Sequence, residues 1–378
     1  MNNKDLTIEQ ICMHLGECAM DHKGAVVTPI YQTSSYHLDS DYEYSRGPAP
    51  NFEVVEKKVA ALDGGEGAVM VGSGVAAAAS IFMATLKAGD HVIMVQSAYV
   101  NSRKCLMHLE NFGVSYTLVH GKDIADFEQA IRPNTKLIFI ESPTSFVCEL
   151  QDIPAVCELA HSKGILVAID NTCACIFQKP MDMGVDIVMY SASKYLGGHA
   201  DIIGGIVVAN GEILAKLREL RIIFGWVSTP FNAWLVQRGM RTLKMRLMKI
   251  QENSFAVAKL LNEHPCIEKL YHPAADDYDQ KDLFKKQMTG FGGMFSFKAK
   301  DAKEEDYENF VHRCQVFQHA VSWGGHESLV YSIGAGGSIA DELLRRSVHG
   351  GILRVYTGLE DTNDLLNDME YALEVFKK

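Results

Sequence analysis

A chain of 378 residues with 47% apolar side chains holds enough material for a large buried core and excludes a disordered protein. Its 36 Lys and Arg against 47 Asp and Glu give a net charge of −11 with no dense basic run, which excludes nucleic acid or a membrane surface as partner. Nine cysteines without a CxxC pair and fourteen histidines without an HExxH exclude a disulfide framework and a zinc site, and they fit a reducing, cytoplasmic setting.

Residues 1–44 read as an irregular N-terminal arm, and Met1-Asn2-Asn3-Lys4-Asp5 opens no apolar signal segment. At its end stands Tyr44-Ser45-Arg46. A planar guanidinium beside a phenol suits a phosphate, and the same pair also suits plain surface. From residue 52 a rhythm begins. The pattern predicts helix 52–62, strand 68–71, helix 75–86, strand 91–96, helix 102–112, strand 115–119, helix 124–130 and strand 137–141. Helix 153–162 and strands 165–170, 187–191 and 205–209 follow. The alternation predicts an α/β domain over 45–240, with a mostly parallel sheet covered by helices on both faces. Residues 67–86 carry no charge, but they are rich in Gly, Ala and Ser and broken by a turn, so they do not read as a membrane span. Residues 241–378 change character. They offer a long amphipathic helix over 241–263, strands at 290–297, 320–323, 329–332 and 353–356, and a closing helix over 361–378. This predicts a smaller α+β domain.

Five places along this pattern carry chemistry. Gly72-Ser73-Gly74-Val75 joins a strand to a helix. It reads as a phosphate cradle or as a tight turn; the strand that follows ends in Gln96-Ser97 rather than the acid that a dinucleotide site requires. Asp170 ends the apolar run 164–170, where open α/β sheets bind ligands. Lys194 follows in Ser191-Ala192-Ser193-Lys194, just past another apolar strand. A shielded lysine with a lowered pKa forms a Schiff base with an aldehyde, and Ser191 and Ser193 are donors for a phosphate. An anion at Asp170 would keep a pyridine nitrogen protonated. Together these residues point to pyridoxal 5′-phosphate (PLP). Tyr99 lies past the strand 91–96, where an aromatic ring stacks on a pyridine or simply packs. Arg354 interrupts an apolar strand, so it needs an anion, either a structural Asp or a substrate carboxylate.

With these residues the chain resembles the PLP-dependent enzymes of cysteine and methionine metabolism. That family includes cystathionine γ-synthase, cystathionine β- and γ-lyases, methionine γ-lyase and O-acetylhomoserine sulfhydrylases. The likeness runs over nearly the whole chain, through Pro29–Tyr36, Tyr44-Ser45-Arg46, Ser73-Gly74, Glu141-Ser142-Pro143, Asp170-Asn171-Thr172, Ser191–Asp201, Glu327-Ser328-Leu329 and Gly358–Asp361. It implies a type I PLP fold (aspartate aminotransferase-like), usually assembled as a homotetramer of two tight dimers. It implies that Lys194 is joined to the cofactor aldehyde, Asp170 faces the pyridine nitrogen and Tyr99 stacks on the ring and assists catalysis. Gly74, Val75, Ser191 and Ser193 would hold the phosphate, with Tyr44 and Arg46 arriving from the neighbouring subunit. Arg354 and Ser322 would hold the carboxylate of an amino-acid substrate.

The chain also departs from this family. Ser145 stands where an Asn is usual, which bears on the substrate side of the site. Val100-Asn101 replaces Gly-Gly, and Lys104 replaces an Arg. Val321 takes a place that is acidic in many cystathionine enzymes. Tyr331-Ser332-Ile333-Gly334-Ala335-Gly336-Gly337 replaces a Met-Thr-His stretch, and Trp323 and His326 are unusual. The expected activity is a carbon–sulfur lyase that eliminates the γ (or β) substituent of a sulfur amino acid such as methionine, cystathionine or homocysteine. The alternatives are γ-replacement on an activated homoserine, a nicotinamide-dependent oxidoreductase using Gly72–Gly74, and a non-catalytic binding module.

Overall fold

A computed structural model describes residues 6–333 and 351–377. Met1–Asp5 and the glycine-rich run Gly334–Gly337 lie outside the described residues. Two sheets organise the described chain. The first is built from β1 (Gly67–Val71), β2 (His91–Val95), β3 (Ser115–Val119), β4 (Thr135–Glu141), β5 (Leu166–Asp170), β6 (Ile187–Ser191) and β7 (Gly205–Ala209), in the order β1-β7-β6-β5-β4-β2-β3. Every pairing from β6 through β3 is parallel, and β7 runs antiparallel to both β1 and β6. β1, β2 and β7 are buried along their whole length. Their unbroken apolar runs are what a sheet covered on both faces demands.

The second sheet holds β8 (Ile267–Tyr271), β9 (Met294–Ala299), β10 (Gln318–His319), β11 (Leu329–Ile333) and β12 (Ile352–Tyr356), in the order β10-β11-β12-β9-β8. Only β10–β11 is parallel. The helix Leu243–Glu263 packs on β8 and on the closing helix Thr362–Leu373. The α/β fold with a second, smaller sheet is therefore as the sequence indicates. Among the described residues, no helix is long and apolar enough to cross a membrane.

Several elements differ from expectation. Residues 320–323 form no strand; the pairing stops at His319, because Ser322 (φ +84°) and Gly324 (φ +87°) turn the backbone out of extended geometry. The strand expected over 290–297 begins only at Met294. Before it, the Gly293 N–H donates to the Tyr195 hydroxyl at 2.9 Å, and a Cβ on Gly292 would lie 2.2 Å from that oxygen, so Gly292 lets the chain pass over Tyr195. The long helix starts at Leu243, after a separate helix Pro230–Met240. The helix Gly211–Phe224 and the short helix Ile8–His14 inside the arm were not anticipated either. The arm is fastened by Glu17, which accepts from buried Lys58 at 2.5 Å and from Arg241 at 2.7 Å.

Gly205 opens β7 against the turn that follows β1. A Cβ there would stand 2.1 Å from the Ser73 carbonyl oxygen and 3.0 Å from the Gly74 nitrogen, both backbone atoms with no rotamer to yield. Gly205→Ala is expected to destabilise the fold by about 1–3 kcal/mol. A urea titration reads this directly. An unchanged midpoint would show that the turn relaxes freely.

Candidate active site

The carboxyl ends of β4, β5 and β6 converge, and each places a polar side chain there: Glu141, Asp170 and Ser191. This is the rim at which α/β sheets take ligands. Just beyond β6 the chain folds into a tight turn. Lys194 N–H donates to the Ser191 carbonyl at 3.1 Å, and Gly198 N–H donates to the Lys194 carbonyl at 2.7 Å. The turn aims the Lys194 amine at the segment before β11. There Nζ donates to Ser322 Oγ at 2.6 Å and sits 5.4 Å from the centre of the Trp323 ring. A Cβ on Gly324 would touch the Lys194 backbone at 2.8 Å, so this close approach requires glycine. Burial lowers the Lys194 pKa to about 8, helped by the positive charge of Arg354 and opposed by Cys173 and Asp170.

Asp170 is nearly buried. Thr172 serves it twice, through its N–H at 3.0 Å and its hydroxyl at 2.5 Å, both on Oδ1. From the described residues Oδ2 receives no hydrogen bond. Thr172 Oγ1 in turn accepts the Ser191 N–H at 2.8 Å, which ties the ends of β5 and β6 together. Glu141 is the register partner of Asp170 on the adjacent parallel strand. Burial raises the pKa of both carboxyls; Glu141 is pushed up to about 8, with the Asp170 charge as the second cause. Glu141 Oε2 accepts the Tyr99 N–H at 2.7 Å, and Oε1 accepts the Ser145 hydroxyl. Ser145 therefore directs its donor at Glu141. The ring of Tyr99 is partly exposed, and its hydroxyl accepts from Asn101 at 3.0 Å.

Gly74 opens the helix Gly74–Thr85, and Ser73 caps it by accepting the Ala76 N–H at 3.1 Å. The N–H groups of Gly74 and Val75 have no carbonyl one turn earlier to bond, so they are available to an anion. A Cβ on Gly74 would lie 2.9 Å from the Ser191 Cβ, so only glycine keeps this corner open. Ser193 Oγ accepts the Gly204 N–H at 3.0 Å. Arg354, in the middle of β12, donates Nη2 to the Ser322 carbonyl at 2.8 Å. Tyr44 and Arg46 lie where the arm ends, with the guanidinium 5.0 Å from the tyrosine ring centre. Among the described residues, no hydrogen bond or ion pair joins them to the Lys194 cluster within the chain.

The sequence-derived residues thus meet through partners that sequence reasoning gave no role. Thr172 joins Asp170 to Ser191, and Glu141 joins Tyr99 to Ser145. Both stand inside recognised stretches, and Glu141 carries the signal that Asp170 does: an acid closing an apolar strand. Ser322 joins Lys194 to Arg354. The donor set fits PLP. It offers an amine with a lowered pKa, an aspartate with one oxygen uncommitted, and a helix-end corner that a single Cβ would fill.

A family model described as Cys/Met metabolism PLP-dependent enzyme matches residues 9–374. A cystathionine γ-lyase of Bacillus subtilis is 36% identical, covering 96% of this chain and 98% of its own. An L-methionine γ-lyase of Porphyromonas gingivalis is 36% identical, covering 93% of each chain. Among solved structures, cystathionine γ-lyase from Lactobacillus plantarum complexed with L-serine superposes with a TM-score of 0.92 at 35% identity, over 98% of this chain and 100% of that one.

Proposed function

Because the chain belongs to the Cys/Met metabolism PLP-dependent enzymes, with PLP as cofactor, we propose that it is a carbon–sulfur lyase. It releases the γ (or β) thiol substituent of an amino acid such as methionine, cystathionine or homocysteine. Amino acid and water are converted to a 2-oxo acid, ammonia and a thiol. The observation that carries this reading is the pair of contacts on Ser322, whose hydroxyl accepts from the Lys194 amine and whose carbonyl accepts from Arg354. One residue thus sets the spacing between a basic amine and a guanidinium, as a substrate with its Cα–H beside its carboxylate requires. Val321, next to Ser322, is 56% exposed and offers no acid to a distal ammonium. The lyase names of both relatives favour elimination over γ-replacement.

The cofactor supplies an electron sink for the pair left when the Cα–H bond breaks. The remaining work falls to the chain. Asp170 presents the anion for the ring nitrogen, held by Thr172. Arg354 and Ser322 bind the carboxylate and so orient the Cα–H bond toward Lys194. Lys194 accepts the Cα proton and carries protons along the substrate. Tyr99 would stack on the cofactor ring and protonate the departing thiolate. Gly74, Val75, Ser191 and Ser193 hold the phosphate, and residues 45–240 form the cofactor-binding unit. Tyr44 and Arg46 serve the phosphate of a second copy in a homo-oligomer. Their exposure on the arm supports this, as does the exposed run Ile222, Ile223 and Phe224 beside Gly47.

Product identity tests the activity. Purified enzyme given methionine, cystathionine or homocysteine is expected to release a 2-oxo acid with no thiol added. A thioether formed only from O-acetylhomoserine plus thiol would overturn the lyase reading.

The lowered pKa of Lys194 gives a second test. Only the neutral amine attacks an aldehyde. The rate at which apoprotein combines with PLP is therefore expected to rise about tenfold per pH unit below pH 8 and to level off above it, since the ammonium form dominates below about 8. A rate still climbing at pH 10 would mean that the amine is not desolvated.

A further inference from the structure

Arg354 is only 7% exposed, and burial lowers its pKa. A guanidinium in such a place ordinarily needs a carboxylate partner. Among the described residues none pairs with it, and its hydrogen bond goes to the Ser322 carbonyl. Instead it lies against two aromatic rings. The guanidinium carbon is 4.2 Å from the centre of the Tyr331 ring and 5.5 Å from that of Phe146. These rings come from opposite parts of the fold. Tyr331 faces Arg354 across the β11–β12 pairing, and Phe146 belongs to the loop after β4. They pack together in a small buried cluster with Ile333 and Ile352.

We propose that Tyr331 and Phe146 act as the counterion of Arg354 and are positioning residues for the substrate carboxylate. The chemistry is specific to π-faces. An aromatic quadrupole stabilises a cation without neutralising it and without occupying its N–H donors. An Asp or Glu at either place would hold Arg354 equally well, but it would compete with the substrate for the same planar fork. The aromatic pair keeps the guanidinium charged and buried while leaving its edge available. This inference rests on Arg354 being the carboxylate anchor.

The test measures ligand affinity by calorimetry on the holoenzyme, with two probes that share an amine: L-alanine, which has the carboxylate, and L-alaninamide, which lacks it. Tyr331→Leu is expected to weaken L-alanine about tenfold and L-alaninamide less than twofold. Tyr331→Phe keeps the ring and should hold both within twofold. Phe146→Leu should repeat the Leu result with a smaller loss, as its ring is farther away. Tyr331→Leu binding L-alanine like the parent enzyme, or losing both probes equally, would overturn the proposal. Arg354→Leu separates the two layers. If it weakens L-alanine selectively while Tyr331→Leu does not, the anchor stands and the aromatic counterion falls. If it leaves L-alanine untouched, the anchor itself is refuted and the counterion role with it.

Discussion

Lys194→Ala is expected to lower turnover by about ten-thousandfold, because in the proposed function one amine serves both as the cofactor's attachment and as the mobile base. Nothing else in the turn supplies a substitute. Ser193 in the turn and Ser322 opposite it are alcohols, and the Trp323 indole is a hydrogen-bond donor with no basic atom. The variant is expected to fold. The Lys194 backbone bonds to Ser191 and Gly198 do not involve its side chain, and the side chain's burial disfavours its charged form. Initial rates of 2-oxo acid release on the best substrate, beside an unfolding curve, separate chemistry from stability. Activity within a factor of ten of the parent, in protein that melts normally, would remove Lys194 from the mechanism.

Asp170→Asn isolates charge from shape. The amide oxygen can still accept from Thr172, so the junction of β5 and β6 through Ser191 should survive. What disappears is the anion proposed to face the ring nitrogen, and a preorganised charge of this kind is worth about a hundred- to a thousandfold in rate. The neighbouring Glu141 reports independently. Burial is the first cause that raises the Glu141 pKa and the Asp170 charge the second, so in Asp170→Asn that pKa should fall while burial still holds it above the ordinary carboxylate range. Steady-state rates test the first effect, and carboxyl titration followed by infrared difference spectroscopy tests the second. A variant with more than a tenth of the parent rate would show that the ring nitrogen needs no anion from this residue.

The large sheet was legible because its strands are short apolar runs closed by polar residues, and periodicity finds those directly. Asp170 and Lys194 were legible for the same reason, each being an ionisable residue set against a buried strand end. The misreadings have physical sources. Residues 320–323 carry strand-like apolar character, but a backbone turn at Ser322 and Gly324 delivers Ser322 to Lys194, and no periodicity encodes that turn. Gly290–Gly293 alternates like a strand, yet Gly292 is set against Tyr195, Gly290 against Gln251 and Phe177, and Gly293 against the Thr357 carbonyl. Glu141 stayed without a role because its partners, the Tyr99 backbone and the Ser145 hydroxyl, are fixed by the register of β4 on β5. The aromatic pair around Arg354 joins residues 146, 331 and 354 across two sheets, which no local pattern announces.

One measurement bears most directly on the whole account. Borohydride reduction fixes the cofactor to whichever amine carries it, and proteolysis with mass spectrometry then locates the pyridoxyl group. The expected product is a single label on Lys194, in the peptide spanning residues 191–201. A label on another lysine, or an unlabelled peptide from fully loaded enzyme, would contradict it.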